Sequence, residues 1–190
     1  MVSIVLLNGP PRSGKDEAAK ALSAACSAFH YKMSYPLKTA IPAFFGLEDK
    51  AHYLEANKDN EIKELFGVTY RQAQIALSEQ WAKPLLGKAV FGHIAVRHLR
   101  NHSGPGRVCV VSDSGFVEEI IPIVEAFGHR NVLIIQLRRD GCSFEGDSRS
   151  YVDYNGVVVQ ELYNRHDLEG FRAQVVRAVE RWHDSRKTPR

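Results

Sequence analysis

An apolar run, Ile4 to Leu7, stops at Asn8; a loop of glycine and proline follows, and a helical pattern begins at Lys15. The loop reads Gly9-Pro10-Pro11-Arg12-Ser13-Gly14-Lys15, the spacing G-x-x-x-x-G-K. Strand, loop and helix N-terminus in this order make a phosphate-binding P-loop. A phosphate chain carries several negative charges. Backbone N–H groups at a helix N-terminus can hold it, helped by the helix dipole. Pro10 and Pro11 have no N–H, so the cradle has to come from Arg12 through Asp16. Gly14 lets the backbone approach the ligand closely. Lys15 places a point charge at the terminal phosphates, where charge shifts during transfer. Gly9, Arg12, Ser13, Gly14, Lys15 and Asp16 are therefore the expected nucleotide-binding set.

Asp16 stands where Ser or Thr usually ligates Mg²⁺. A carboxylate is also a hard oxygen ligand. Beside a triphosphate it would be repelled unless a cation sat between them, so Asp16 is expected to hold Mg²⁺ directly or through water. The plainer alternative is an acid that complements the helix dipole.

At 190 residues, 44% hydrophobic and 25% charged, the chain suits one well-buried domain. The net charge of +3 is spread along the chain, with no dense basic block before the tail. A small anionic substrate accounts for this excess, and a nucleic-acid polymer is not indicated. No apolar run approaches membrane-spanning length. The first apolar run leads straight into the P-loop and reads as a core strand, not a signal peptide. Cys26, Cys109 and Cys142 are odd in number and lack metal-ligand spacing. Reduced thiols in the cytoplasm are expected.

Residues 15–27 are Ala-rich at helical spacing, and residues 28–33 look like a short second strand. Ser34 and Pro36 open a helix that runs to about Phe45 and stops at Gly46. Residues 47–66 are polar and helical and read as a solvated excursion. Thr69 can cap a helix with Arg71 in its first turn, and Pro84 opens a further segment ending in Ser103-Gly104-Pro105-Gly106. Residues 107–112 form a buried strand ending at Ser112-Asp113-Ser114-Gly115. An acid at the carboxyl end of a core strand is well placed for Mg²⁺ and its waters, so Asp113 is the second expected catalytic and metal residue. It could instead cap the next helix, residues 116–128, though Ser114 is the nearer cap. Residues 131–137 are another buried strand. The polar stretch from Arg138 to Gly156 suits a lid that excludes water from the phosphates, with Arg138, Arg139 and Arg149 as candidates to stabilise the transferring group. Solvated loop arginines are the competing reading. Residues 157–162 make a last strand, Asn164 follows, and Asp167 can cap a final helix before a frayed tail. His98 and His102 have metal-compatible spacing with nothing nearby to complete a site. Tyr70, Trp81, Phe91 and Trp182 read as core or rim packing.

The order β-α-β-(helical insert)-β-α-β-lid-β-α predicts a three-layer α/β fold. It has a parallel five-stranded sheet, helices on both faces, a helical insert at about 35–105 and a short lid at about 138–156 in a single domain. The segments GPPRSGKD, YKMSYPLKTAIPAFFGL, VCVVSDSGFVEE and VVVQELYNRHDLEGF together resemble phage-type deoxynucleoside monophosphate kinases, within the wider P-loop kinase group. The resemblance implies a nucleoside monophosphate kinase-like P-loop fold. It implies ATP and Mg²⁺ as cofactors, with Lys15 and the loop N–H groups on ATP. Lys38 and Arg71 would face the acceptor monophosphate, Asp113 would sit by metal and acceptor, and Asn164 near the adenine. One position departs from the family: where it often has D-x-R after that strand, this chain has Gly115, so the contact is either missing or supplied by Arg12, Arg71 or a lid arginine.

The expected function is transfer of the γ-phosphoryl group of ATP·Mg²⁺ to a deoxynucleoside monophosphate (dNMP). Lys15, Asp113, Arg138 and Arg139 would be catalytic, with Arg149 and Asn164 on the nucleotide. The expected partner is a small-molecule dNMP, with no membrane and no nucleic-acid polymer. A homodimer is allowed, and the compartment is the cytoplasm, that of the host if the chain is phage-encoded. The alternatives are a P-loop kinase of another small acceptor, such as a coenzyme precursor, and a nucleotide-binding module that senses dNMPs without turnover. A macromolecule-driven ATPase would need a water-positioning acid and a partner surface that the sequence does not identify.

Overall fold

The computed structural model describes residues 2–165 and 167–186. Of the tail expected to fray, residues 187–190 lie outside the described residues. In chain order the elements are β1 (Ser3–Asn8), α1 (Lys15–Cys26), β2 (Phe29–Tyr31), α2 (Tyr35–Phe45), α3 (Ala51–Ala56), α4 (Tyr70–Ile75), α5 (Lys83–Leu86), α6 (Val90–His102), β3 (Val108–Ser114), α7 (Val117–Phe127), β4 (Val132–Arg138), β5 (Val158–Tyr163) and α8 (Leu168–Ser185). The chain divides into two compact units, Met1–Met33 with Gly92–Arg190, and Ser34–Phe91.

The first unit is built on a sheet of five strands in the order β2-β3-β1-β4-β5. Every pairing is parallel, as the expected crossover helices require. β1 lies at the centre and is buried along its whole length, which explains its unbroken apolar run. Its side chains still alternate. Val5 and Leu7 pack on Ala18, Ala19 and Leu22 of α1 and on Phe171, Val175 and Trp182 of α8. Ile4 and Leu6 pack on the opposite face, with Ala95, Val96 and Leu99 of α6 and Ile120, Ile123 and Val124 of α7. A period of two on the strand is thus met by helices on both faces. The carboxyl ends of β1, β3 and β4 converge on one edge, and the site residues described below come from that edge.

The second unit has its own small core of Ile41, Leu47, Leu54, Ile62, Leu65 and Tyr70. Thr69 caps α4 as expected: its hydroxyl accepts from Gln72 N–H while the Gln72 side chain accepts from Thr69 N–H. One local expectation fails here. Residues 47–66 are not one solvated helix. They fold as the 3₁₀ turn Glu48–Lys50, α3 and the 3₁₀ turn Lys63–Leu65. Asn57 ends α3, with its backbone and side-chain N–H groups both donating to Tyr53 O. Leu54, Ile62 and Leu65 are buried, which a helix wet on all sides would not allow. The helix expected after Thr69 widens into a π-helical turn, Ala76–Ala82, before α5. The unit ends at Phe91, short of the expected 105, and the rest of α6 joins the core of the first unit.

At α7 the expected cap is also absent: the N-cap position is Phe116, with no side-chain cap. The Asp113 carboxylate instead accepts from Met33 N–H at 2.6 Å. β3 runs on to Ser114, so Asp113 belongs to the strand end and not to the helix start. Asp167 does cap α8, accepting from Gly170 N–H at 2.7 Å.

Candidate functional site

The P-loop joins β1 to α1, and its backbone does what the glycine and proline content requires. Ser13 N–H closes a turn on Pro10 O at 3.2 Å, so that donor of the expected cradle is used within the loop. Arg12 takes φ 64°, a left-handed conformation rare for a non-glycine residue, and Gly14 takes φ 108°. A Cβ on Gly14 would also come within 2.7 Å of the Asn164 amide and 3.0 Å of the Phe171 ring. Only glycine meets both demands.

Lys15 folds back over the loop, donating from Nζ to Gly9 O at 2.7 Å and to Pro10 O at 2.6 Å. Burial, and then the nearby Arg149 guanidinium, lower its pKa to about 8, against the pull of Asp16, Asp113 and Asp147. Two neighbours pin the loop from outside. Asn164 donates its side-chain amide to Ser13 O at 3.1 Å while its backbone N–H bonds Arg138 O at 2.7 Å. Arg139 donates to Arg12 O at 3.1 Å. Ser13 Oγ is buried and has no hydrogen-bond partner among the described residues. A buried hydroxyl without a partner, in a loop at a helix N-terminus with a lysine folded over it, fits a phosphate group.

Asp16 pairs with Lys32, just beyond β2, at 2.7 Å. Burial works against ionisation of Asp16, but the Lys32 bond and charge, then His30 and Lys15, outweigh it and hold the carboxyl below its ordinary value. His30 Nε2 lies 2.7 Å from Ser112 Oγ on β3, and burial followed by Lys32 lowers its pKa. Asp16 and Asp113 are both within electrostatic reach of Lys15. Among the described residues no cluster of three or more His, Cys, Asp or Glu could hold a metal alone. Two carboxylates beside a phosphate cradle nevertheless fit Mg²⁺, which completes its shell with phosphate oxygens and water.

The three arginines of the β4–β5 connection have different surroundings. Arg138 pairs with Glu161 of β5 at 2.7 Å, bonds Gln136, and lies over the Tyr151 ring at 3.9 Å. Arg139 reaches the loop as described. Arg149 lies against Gly115 and pairs with Asp147. That bond, opposed by burial, raises the Arg149 pKa, with Asp113 and Glu119 adding to the rise. The stretch expected as a polar lid also returns through the core: Val152 is fully buried, and its N–H and C=O bond the side chains of Asn8 and Gln136.

Lys38 and Arg71 belong to the second unit. Lys38 pairs with Glu55 at 2.9 Å, and Glu55 also pairs with Lys58 at 3.2 Å. Arg71 pairs with Asp59, and its backbone N–H bonds Lys58 O at 2.9 Å. Tyr70 OH donates to Lys38 O at 3.1 Å and ties α4 to α2. The structure therefore adds Lys58, Glu55 and Asp59 to the residues singled out in that region. In the first unit it adds Asn8, Lys32 and Asp147. A polar residue ending an apolar strand was a readable sign for Asn8, and the acid two residues before Arg149 was one for Asp147. Lys32 had no such sign. His98 and His102 stack on Tyr31 and Phe29. Trp81 is exposed, while Tyr70, Phe91 and Trp182 are buried.

No protein-family model matches the chain, and no curated protein matches it in sequence. Among solved structures it is similar to a gluconokinase from Sinorhizobium meliloti 1021, with TM-score 0.54 and 11% identity over 96% of this chain and 94% of that one. It is also similar to a sugar kinase from Janibacter sp. HTCC2649, with TM-score 0.49 and 12% identity over 97% of this chain and 95% of that one. A thymidylate kinase from Candida albicans aligns with TM-score 0.47 and 13% identity over 94% of this chain and 91% of that one. The gluconokinase likeness establishes the fold: a P-loop kinase-like α/β architecture with a five-stranded parallel sheet. No described helix is long and apolar enough to cross a membrane.

Proposed function

We propose that the protein transfers the γ-phosphoryl group of ATP to a small acceptor, and that the acceptor is a deoxynucleoside monophosphate. The observation that carries the transfer reading is the loop. A left-handed Gly14, a buried unpartnered Ser13 hydroxyl and Lys15 folded over the cradle form an anion site at the carboxyl end of the central strand. An acceptor that already bears a phosphate is supported by Lys38, Lys58 and Arg71, which the second unit gathers with Glu55 and Asp59 as their counter-charges. The named base and sugar rest on the sequence resemblance.

In this reading an acceptor phosphate oxygen attacks the γ-phosphorus, the bond to the β–γ bridging oxygen breaks, and ADP leaves. The attacking oxygen is already anionic, so no strong general base is needed. Lys15 exchanges its loop carbonyls for phosphate oxygens and neutralises charge as it moves to the leaving group. Asp16 and Asp113 would hold Mg²⁺, which when bound offsets charge on the phosphates. Arg139 stands at the loop edge. Arg138 must leave Glu161 before it can serve the transferring group. Asn164 keeps the loop in place on the side assigned to adenine.

An ADP-release assay with ATP·Mg²⁺ against each of the four dNMPs and their ribose counterparts tests this. Release that depends on one or a few dNMPs, with the diphosphate formed, is the expected result. Clear ATP binding with no release would move the assignment to another acceptor or to a sensing module.

A pH dependence follows from Lys15. It is cationic below its pKa of about 8 and neutral above it. The value of kcat/KM for ATP, which reports the free protein, is therefore expected to fall as pH rises through that value. A profile flat from pH 7 to about 10 would show that Lys15 keeps its ordinary pKa.

A further inference from the structure

A loop arginine is ordinarily solvated and mobile, whereas Arg149 is half-buried and held by hydrogen bonds. Its Nε, Nη2 and backbone N–H all donate to the Asp147 carboxylate, with Nε at 2.9 Å and the backbone N–H at 3.0 Å. The chain beyond it is fastened to three strands. Ser150 N–H bonds Gly115 O at 3.3 Å, just past β3. Asn8, at the end of β1, donates to Ser150 O at 3.0 Å and accepts from Val152 N–H at 3.0 Å. Gln136 of β4 donates to Val152 O at 2.9 Å.

The stem of Arg149 lies where Gly115 has no side chain. A Cβ built on Gly115 would fall 2.6 Å from both Cγ and Cδ of Arg149 and 2.8 Å from its Cβ, and these are its three nearest neighbours. Real Cβ contacts essentially never come under 3.0 Å. The backbone of Gly115 is not left-handed, so what makes glycine necessary there is the arginine and not the local turn. A side chain at 115 and Arg149 in its present seat are mutually exclusive.

The seat also determines where the charge lies. Arg149 is close enough to Lys15 to lower its pKa, and Asp113, two residues before Gly115, acts on both cations. Like charges held side by side are unfavourable until an anion spans them. Nε and Nη2 face Asp147, and the remaining guanidinium N–H groups are those a ligand can take.

We infer that Gly115 is a positioning residue: its bare Cα is the seat that holds Arg149 beside Lys15, so that the β4–β5 connection supplies a fixed anion contact instead of a closing lid. This rests on the phosphoryl-transfer reading and assigns to one pair of residues the contact that Gly115 itself cannot make.

The test is a double-mutant cycle of Gly115→Ala and Arg149→Gly, with Arg149→Gly chosen because it removes the three atoms nearest to the new Cβ. The readouts are kcat and KM from ADP release, and ATP binding by calorimetry. Each single change is expected to lower kcat by about 10²-fold, the usual effect of losing one preorganised donor, with a smaller change in ATP binding. The double variant is expected to be no slower than Arg149→Gly alone. Additive losses, or a Gly115→Ala protein with unchanged kcat, would overturn the inference. If Gly115→Ala does not fold, Arg149→Gly must restore folding, and a double variant that is also unfolded overturns it as well. Failure of the unmodified protein to bind ATP would instead overturn the transfer reading on which it rests.

Discussion

Lys15→Ala is expected to abolish phosphoryl transfer, with a loss of at least about 10³-fold, and to leave the fold intact. The loss is large because Lys15 is the group that meets the charge as it moves. It donates to Gly9 O and Pro10 O, so it is already positioned over the cradle. The fold survives because those acceptors are loop carbonyls that water can satisfy, and because a partly buried cation whose pKa has fallen to about 8 is a net burden on the native state. Transfer measured by ADP release, alongside circular dichroism and thermal melting, separates the two effects. A folded Lys15→Ala protein that still transfers phosphate would sink the assignment.

Asn8→Leu is expected to lower stability by about 3 kcal/mol, since it strands several buried backbone groups at once. Asn8 is fully buried. Its amide donates to Ser114 O at 2.8 Å and to Ser150 O at 3.0 Å, and its carbonyl accepts from Val152 N–H at 3.0 Å. Leucine has a similar volume but can replace none of these bonds. For a chain of this size the melting temperature should fall by roughly 6–12 °C. Transfer measured well below the melting point should fall too, because the segment carrying Arg149 loses its hold on β1. A melting temperature within about 2 °C of the unmodified protein would show that burial of Val152 alone secures that segment.

Much of this architecture was legible in the chain itself. The run Ile4 to Leu7 reads as a strand buried on both faces, and β1 is the central strand. The glycine spacing of the loop is legible because Gly14 must be left-handed. Thr69 and Asp167 cap helices because a hydroxyl or carboxylate just before a helical pattern has donors two or three residues ahead of it. These are local facts, settled within a few residues of the position concerned. Residues 47–66 were misread because a polar pattern hides a few apolar residues that a small core can still collect. Ser114 was misread as a cap because β3 extends two residues farther than its apolar run.

The site divides along the same line. Sequence alone determined the phosphate loop, the order of strands and helices, and the acid at the end of β3, since each depends on a motif or a period. Tertiary structure alone decided what surrounds each arginine of the β4–β5 connection. Arg138, Arg139 and Arg149 sit in one polar stretch with nothing local to rank them. Their surroundings come from residues far away in the chain: Glu161 takes Arg138, Arg12 O takes Arg139, and Gly115 leaves room for Arg149. A side chain's partner is set by what packing brings within a few ångströms, and that is a property of the folded chain, not of its neighbours in sequence.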